Sequence, residues 1–293
     1  MPQRINKAIE LLEQDQPLYS TGAGELTYEG GKALANTWAD YINLEMEHEA
    51  FDMKGLEAFM QGLADGGPTP SGHRTPPVIM TVPAEGTSEE SVRANAWMIK
   101  QVLARGIHGI LLCHVESAGA ARAFVESARY PLSQIGAGEG RRGAGGQASA
   151  ARIWGVSPDV YLRLADPWPL NPAGELLLGV KIENRRALAH AGSTLAVPGI
   201  GFAEWGPGDM GLSFGHIGAH DPPYPSDMDQ ARLTVAEACR RNNVAFLCSW
   251  NDPALTVEQR VRKLLDDNVM VLSGIGEEGA RIGRAITGRT MAV

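Results

Sequence analysis

Short apolar runs alternate with helical patterns along this chain, and that alternation limits its fold more than any other feature. The runs are LYSTG (18–22), YINLE (41–45), PVIMT (77–81), HGILLC (108–113), LLLGVKI (176–182), IGFAEW (200–205), VAFLCSW (244–250) and VMVLSG (269–274). Several show little polar alternation, as expected of strands covered on both faces. The helices between them carry start and stop signals. Thr87 and Glu90 have capping-box spacing, Val92, Ala96, Ile99 and Leu103 recur at helical intervals, and Gly106 is placed to end the helix. Thr256 and Gln259 repeat the cap ahead of Val257, Val261 and Leu264. Segments 27–38, 52–64, 117–127, 184–195 and 227–241 also read as helices. About eight β–α units predict an α/β fold of the (β/α)8 barrel type, with a doubly wound sheet as the rival.

A chain of 293 residues, 44% hydrophobic, fits one large barrel or two ordinary domains. No internal repeat or long linker divides it, so a single barrel over residues 1–293 is expected. Residues 66–76 and 132–150 are the two long irregular stretches, and barrel loops of that length are usually functional.

Composition excludes several classes of function. The formal net charge is −8 with no dense Lys/Arg run, which argues against nucleic acid and anionic lipid as partners. No apolar run approaches the roughly 18 residues of a membrane span. Cys113, Cys239 and Cys248 lie far apart and form no disulfide framework or CxxC site, and the N-terminal stretch is amphipathic and carries acids. A reducing, cytoplasmic setting is expected.

Common motifs give little. GEGRRG (138–143) matches GxGxxG formally but lacks a framing strand and apolar helix, HEAFD (48–52) is not HExxH, and GxxxxGK[ST] is absent. The polar residues at strand ends say more, because barrel enzymes place their chemistry at the C-terminal ends of strands. Glu45, Glu47 and His48 end YINLE, His114 and Glu116 end HGILLC, Glu183 ends LLLGVKI, Asp209 follows IGFAEW, and Asn251 and Asp252 end VAFLCSW. One such acid alone is an ordinary helix cap or first-turn acid. Several on one rim repel one another unless a cation or protons intervene, and carboxylates with open water positions suit Mg2+ or Mn2+. His48, between Glu47 and Glu49, is the best placed general base. His114 sits similarly, while His73, His108, His190, His216 and His220 read as surface or loop residues. Lys181 shares a strand face with Glu183, either paired with it or contacting an anionic substrate.

The ordered set EMEH (45–48), RYP (129–131), RGAG (142–145), ARIWG (151–155), VKIEN (180–184) and GPGDMGLSFG (206–215) resembles the HpcH/HpaI aldolase family over roughly residues 18–280. That resemblance implies a barrel of the phosphoenolpyruvate/pyruvate-domain type, a homohexamer (a trimer of dimers) that exchanges a C-terminal helix, and class II aldolase or lyase chemistry on pyruvate-type enolates. It implies Glu183 and Asp209 as ligands of a divalent ion, Mg2+ or Mn2+ with Co2+ or Zn2+ as further options, His48 as catalytic base and Glu45 as its acidic partner. Three positions depart from the family pattern. Met80 or Thr81 stands where a substrate-binding arginine is usual, Lys181 replaces a glutamine, and Cys113-His114 replaces Pro-Met.

The resulting expectation is metal-dependent retro-aldol cleavage of a hydroxy-oxo acid or related β-hydroxy carbonyl compound. Arg74, Lys181 or His114 would replace the arginine's charge. Amides of the 138–146 loop, with Arg142 or Arg152, would bind a substrate carboxylate, and Gly206, Pro207 and Gly208 would border the substrate. Trp205 and Trp154 suggest an apolar or aromatic substrate portion, as in the catabolism of aromatic compounds, unless they pack in the core. A decarboxylase or other C–C lyase, or a non-catalytic ligand-binding barrel, are the alternatives.

Overall fold

A computed structural model of the chain describes residues 3–132 and 138–293, so residues 133–137 of the glycine-rich segment lie outside the described residues. Its strands are β1 (Leu18–Gly22), β2 (Tyr41–Glu45), β3 (Val78–Glu85), β4 (Gly109–Cys113), β5 (Pro167–Trp168), β6 (Leu176–Lys181), β7 (Phe202–Glu204), β8 (Ala245–Ser249) and β9 (Val271–Ser273). β5 is a two-residue addition beside the start of β6. The other eight pair in parallel, in the order β1-β2-β3-β4-β6-β7-β8-β9, and β9 returns to β1 to close the ring. All eight runs anticipated from the sequence became these strands, and the closed ring replaces the doubly wound alternative.

The helices are α1 (Lys7–Leu12), α2 (Tyr28–Leu34), α3 (Met53–Gly66), α4 (Glu89–Ala94), α5 (Ala96–Leu103), α6 (Ala118–Ala128), α7 (Gln147–Trp154), α8 (Pro158–Leu164), α9 (Arg185–Leu195), α10 (Pro207–Phe214), α11 (Ser226–Asn242), α12 (Val257–Asp266) and α13 (Gly276–Ile286). The Thr256–Gln259 capping box forms as expected. The one expected at Thr87 does not. Ser88 accepts the Ser91 N–H and starts the helix one residue later, and Asn95 then interrupts it, dividing α4 from α5.

Successive strand residues point to opposite faces, so each strand serves two cores. Tyr41, Ile79, Leu111, Leu177, Phe202, Leu247 and Val271 fill the barrel interior, and Ala8, Ile9, Leu11 and Leu12 of α1 close its N-terminal end. Gly179 is required in that interior, because a Cβ there would lie 2.2 Å from the Phe202 ring. Residues of the opposite parity, such as Ile42, Met80, Ile110, Leu178 and Ala203, pack against the helices. Two or four positions further along the inward-facing rows stand Glu45, Thr81, Cys113, Lys181, Glu204 and Ser249. The interior thus changes from apolar to polar toward the C-terminal ends of the strands.

Asp40 anchors the opposite end. It is fully buried and accepts from the Tyr19 N–H at 3.0 Å, Arg289 Nη1 at 2.7 Å and Arg284 Nη2 at 3.2 Å, with Lys7 Nζ 3.5 Å away. These bonds hold α13 and the C-terminal residues on their own barrel. No described helix is long and apolar enough to cross a membrane.

Candidate active site and metal centre

β2, β4, β6 and the loop after β7 deliver four side chains to one point at the polar mouth of the barrel. Glu47, His114, Glu183 and Asp209 each offer a donor atom, and these atoms all lie within 4.8 Å of one another. Glu183 extends the inward-facing row of β6 two residues beyond Lys181 and is 1% exposed. Its Oε1 accepts the His114 N–H at 2.8 Å. Asp209 occupies the first turn of α10, whose N-terminus favours a negative charge. Gly206 caps that helix, and a Cβ there would come within 2.5 Å of Glu183 Oε2. The glycine therefore lets the GPGD turn close onto the neighbouring strand end.

Lys181 stands inside the same group. Its Nζ lies 2.5 Å from Glu47 Oε2 and 3.9 Å from Glu183 Oε2, and in the sheet register it is opposite Glu204. Burial opposes its charge, but Glu204 and Glu183 outweigh burial and keep the ammonium protonated. Burial pushes Glu183 up to about 8, with Glu204 and Glu47 adding repulsion against the pull of Lys181. Glu204 is raised as well, chiefly by burial. Glu47 moves the other way, because the hydrogen bond and charge of Lys181 exceed its cost of burial. Several carboxyls crowd one ammonium, so ionising all of them calls for a further cation. Three carboxylates and one imidazole form a donor set suited to a divalent ion.

Some sequence-derived assignments change here. Glu45 does not reach the His48 ring as an acidic partner. Its Oε1 accepts backbone N–H groups, from Glu47 at 2.5 Å and His48 at 3.4 Å, and so shapes the turn that carries both. The carboxylate beside the His48 ring is Glu47, 3.6 Å from Nε2, and the His48 side chain is 72% exposed. Glu47 is the acid that sequence reasoning underrated. Met46 is buried, so Glu45 and Glu47 share the inward parity, and that alternation was the available signal. Glu204, also overlooked, has the same parity as Phe202.

Other residues do not join the cluster. Arg142 is 2% exposed, donates to the Tyr161 hydroxyl at 2.9 Å and lies over the Tyr130 ring at 4.4 Å. The 138–146 loop runs past the C-terminal end of α6, where the Arg141 and Arg142 N–H groups bond Glu126 O and Arg129 O. That is the end of the barrel away from Glu183. Arg74 is there too, bonded to Ile153 O ahead of β3, so it cannot take the place of the absent arginine. Trp154 packs between His108 and Tyr161 and donates to Gly106 O, and Trp205 is buried against Tyr224, so both indoles belong to the core. His73 and His108 are buried rather than superficial: His73 bonds Glu10, and His108 accepts the Val78 N–H. Glu116 is engaged by Arg186 and Asn184. At the arginine position, Met80 faces the outer core and Thr81 faces the interior. Pro207 is the buried first residue of α10, and a Cβ on Gly208 would approach His220 at 3.3 Å.

Comparison with known proteins agrees with this geometry. The family model described as HpcH/HpaI aldolase/citrate lyase matches residues 78–266. A hydroxypyruvate/pyruvate aldolase of Delftia acidovorans (strain DSM 14801 / SPH-1) is 30% identical over 238 residues, covering 81% of this chain and 73% of that protein. The crystal structure of an HpcH/HpaI aldolase/citrate lyase family protein from Burkholderia cenocepacia J2315 has a TM-score of 0.72 at 22% identity, covering 97% of this chain and 98% of the other. Macrophomate synthase superimposes with a TM-score of 0.64 at 21% identity, over 97% and 86% of the two chains. The chain belongs to the HpcH/HpaI aldolase/citrate lyase family and is a carbon–carbon lyase on a (β/α)8 barrel.

Proposed function

We propose that the enzyme makes and breaks the C–C bond of a hydroxy-oxo acid, with pyruvate or hydroxypyruvate as the fragment that becomes an enolate. The observation that carries this reading is the convergence of Glu183 and Asp209 with Glu47 and His114 at the barrel mouth. Glu183 and Asp209 would hold a divalent cation, Mg2+, Mn2+, Co2+ or Zn2+. When bound, such an ion polarises the 2-oxo group and offsets the charge that develops there.

The chain's own residues supply the rest. In the cleavage direction His48 takes the proton of the substrate hydroxyl, the C–C bond breaks, the carbonyl product leaves and the electron pair stays on the 2-oxo fragment. Glu47 orients the His48 ring, and Glu45 holds the turn beneath both. Lys181 places a fixed ammonium beside the developing oxyanion, which supports stabilisation of charge formed in the transition state. Thr81 offers a hydroxyl where an arginine is usual, which favours a substrate outside the standard 4-hydroxy-2-oxo diacids. The finer expectations of a cytoplasmic homohexamer, a trimer of dimers, rest on the family resemblance, whereas α13 stays on its own barrel through Arg284 and Asp40.

Aldol cleavage and addition should be assayed with pyruvate and hydroxypyruvate against a panel of aldehydes in the presence of Mn2+. Oxaloacetate decarboxylation serves as a separate arm, since it needs enolate stabilisation alone. Glu183→Gln and Asp209→Asn should lose metal and turnover together, and His48→Gln should lower kcat by about 10²–10⁴ in the aldol arm. Full activity in the two carboxylate variants sinks the reading. Decarboxylation without any aldol turnover would favour a decarboxylase.

A further inference from the structure

His114 departs from its surroundings in two ways. Its backbone lies in the left-handed region, φ +49°, uncommon for a residue with a side chain and typical of strain kept at functional sites. Its ring also stands off from the carboxylates it faces. Nδ1 is 3.5 Å from Glu183 Oε1 and Nε2 is 4.0 Å from Glu47 Oε1. A direct N–H···O bond would be about 2.9 Å. Two ligands about 2.1 Å from one ion are separated by roughly 3.0 Å when adjacent and 4.2 Å when opposite. One imidazole offers a single nitrogen to an ion, and the 3.5 Å between Nδ1 and Glu183 Oε1 lies between these two separations. The two oxygens of Glu47 divide accordingly: Oε2 is held by Lys181, and Oε1 faces the imidazole.

We infer that His114 is the imidazole ligand of the divalent-cation site, completing a set with Glu183, Asp209 and Oε1 of Glu47, and that it biases the site toward transition-metal dications over Mg2+. The inference rests on the metal-centre reading above. The reason for the bias is chemical: imidazole nitrogen suits Zn2+, Co2+ and their neighbours, whereas Mg2+ keeps oxygen ligands and water. The short turn after β4 brings the ring in. The left-handed residue turns the chain so that the His114 N–H and its side chain both face Glu183.

The test uses full-length protein loaded with Mn2+ and examined by pulsed EPR for the nitrogen coupling of a directly bound imidazole. Wild type should show it, His48→Gln should keep it, and His114→Asn should lose it. Asn suits the left-handed backbone, so the fold is retained, as the thermal midpoint will report. By calorimetry His114→Asn should weaken Co2+ at least about tenfold and change Mg2+ less than about twofold. Wild-type protein with no nitrogen coupling, or a coupling that survives His114→Asn, overturns the inference. Glu183→Gln separates the two levels. If it removes metal binding while His114→Asn does not alter the spectrum, the inference alone fails. If Glu183→Gln binds metal normally, the underlying reading fails.

Discussion

Lowering the pH from 9 to 6 should weaken divalent-cation binding about a hundredfold through one carboxyl. Burial, reinforced by Glu204 and Glu47, pushes Glu183 up to about 8. A carboxylate must be ionised to ligate, so the incoming cation displaces its proton. At pH 6 about 1% of that carboxyl is ionised in the metal-free protein, a factor of about 100 or roughly 3 kcal/mol, and by pH 9 the penalty has almost gone. Glu47, held low by Lys181, adds nothing in this window.

The sign for stability is the reverse. The folded value lies above the ordinary 4.5, so the metal-free fold binds the extra proton. The stability this contributes is fully present below about 4.5 and is lost as pH rises through about 8, a span worth on the order of 4–5 kcal/mol. Stripped protein should therefore melt at lower temperature at pH 9 than at pH 5, and Mn2+ should remove most of that difference. Calorimetry in two buffers of different ionisation enthalpy gives both affinity and protons released. An affinity constant within threefold from pH 6 to 9, or no proton release at pH 7, refutes the argument.

Gly206→Ala should cost at least about tenfold in metal affinity, read by calorimetry, because its Cβ would strike Glu183 Oε2 at 2.5 Å. Lys181→Met should lower kcat/KM about a hundredfold in the aldol assay, as loss of one oxyanion partner commonly does, and should raise the pH at which Glu183 ionises. Arg142→Leu should leave kcat/KM within about threefold and lower stability by about 1–3 kcal/mol in urea unfolding, since the guanidinium bonds Tyr161 away from the mouth.

The barrel was legible because its signal is local. Each buried strand is a short apolar run, and β1 and β2 coincide with LYSTG and YINLE residue for residue. Glu183 and Asp209 were legible because strand ends in such a barrel share one rim. The errors arose where position depends on neighbours. The 138–146 loop looks like an anion cradle, yet its Arg141 and Arg142 amides are bonded at the end of α6, and only tertiary contact places it there. Trp154 resembles a substrate wall until Gly106 accepts its N–H. The choice between Met80 and Thr81 required the register of β3, and the roles of Glu45 and Glu47 required the turn that only one of them caps.

The charge at the mouth explains how a family member can function with Thr81 where an arginine is usual. Glu47, Glu183 and Glu204 already face Lys181, the one lysine or arginine that the described residues bring into contact with the group. An arginine would be a second fixed cation, able to attract a substrate carboxylate whether or not metal is bound. Here the ammonium is paired with Glu47, and Glu183, pushed up to about 8, is largely neutral near pH 7, so the metal-free site offers an anion no unpaired positive charge until a dication binds. Cation and anionic substrate should therefore bind as a linked pair, each raising the affinity of the other by the same factor. The glycines of GPGD serve the same end. By bringing Asp209 up to Glu183 they create a site that should admit a 2-oxo acid only with its metal.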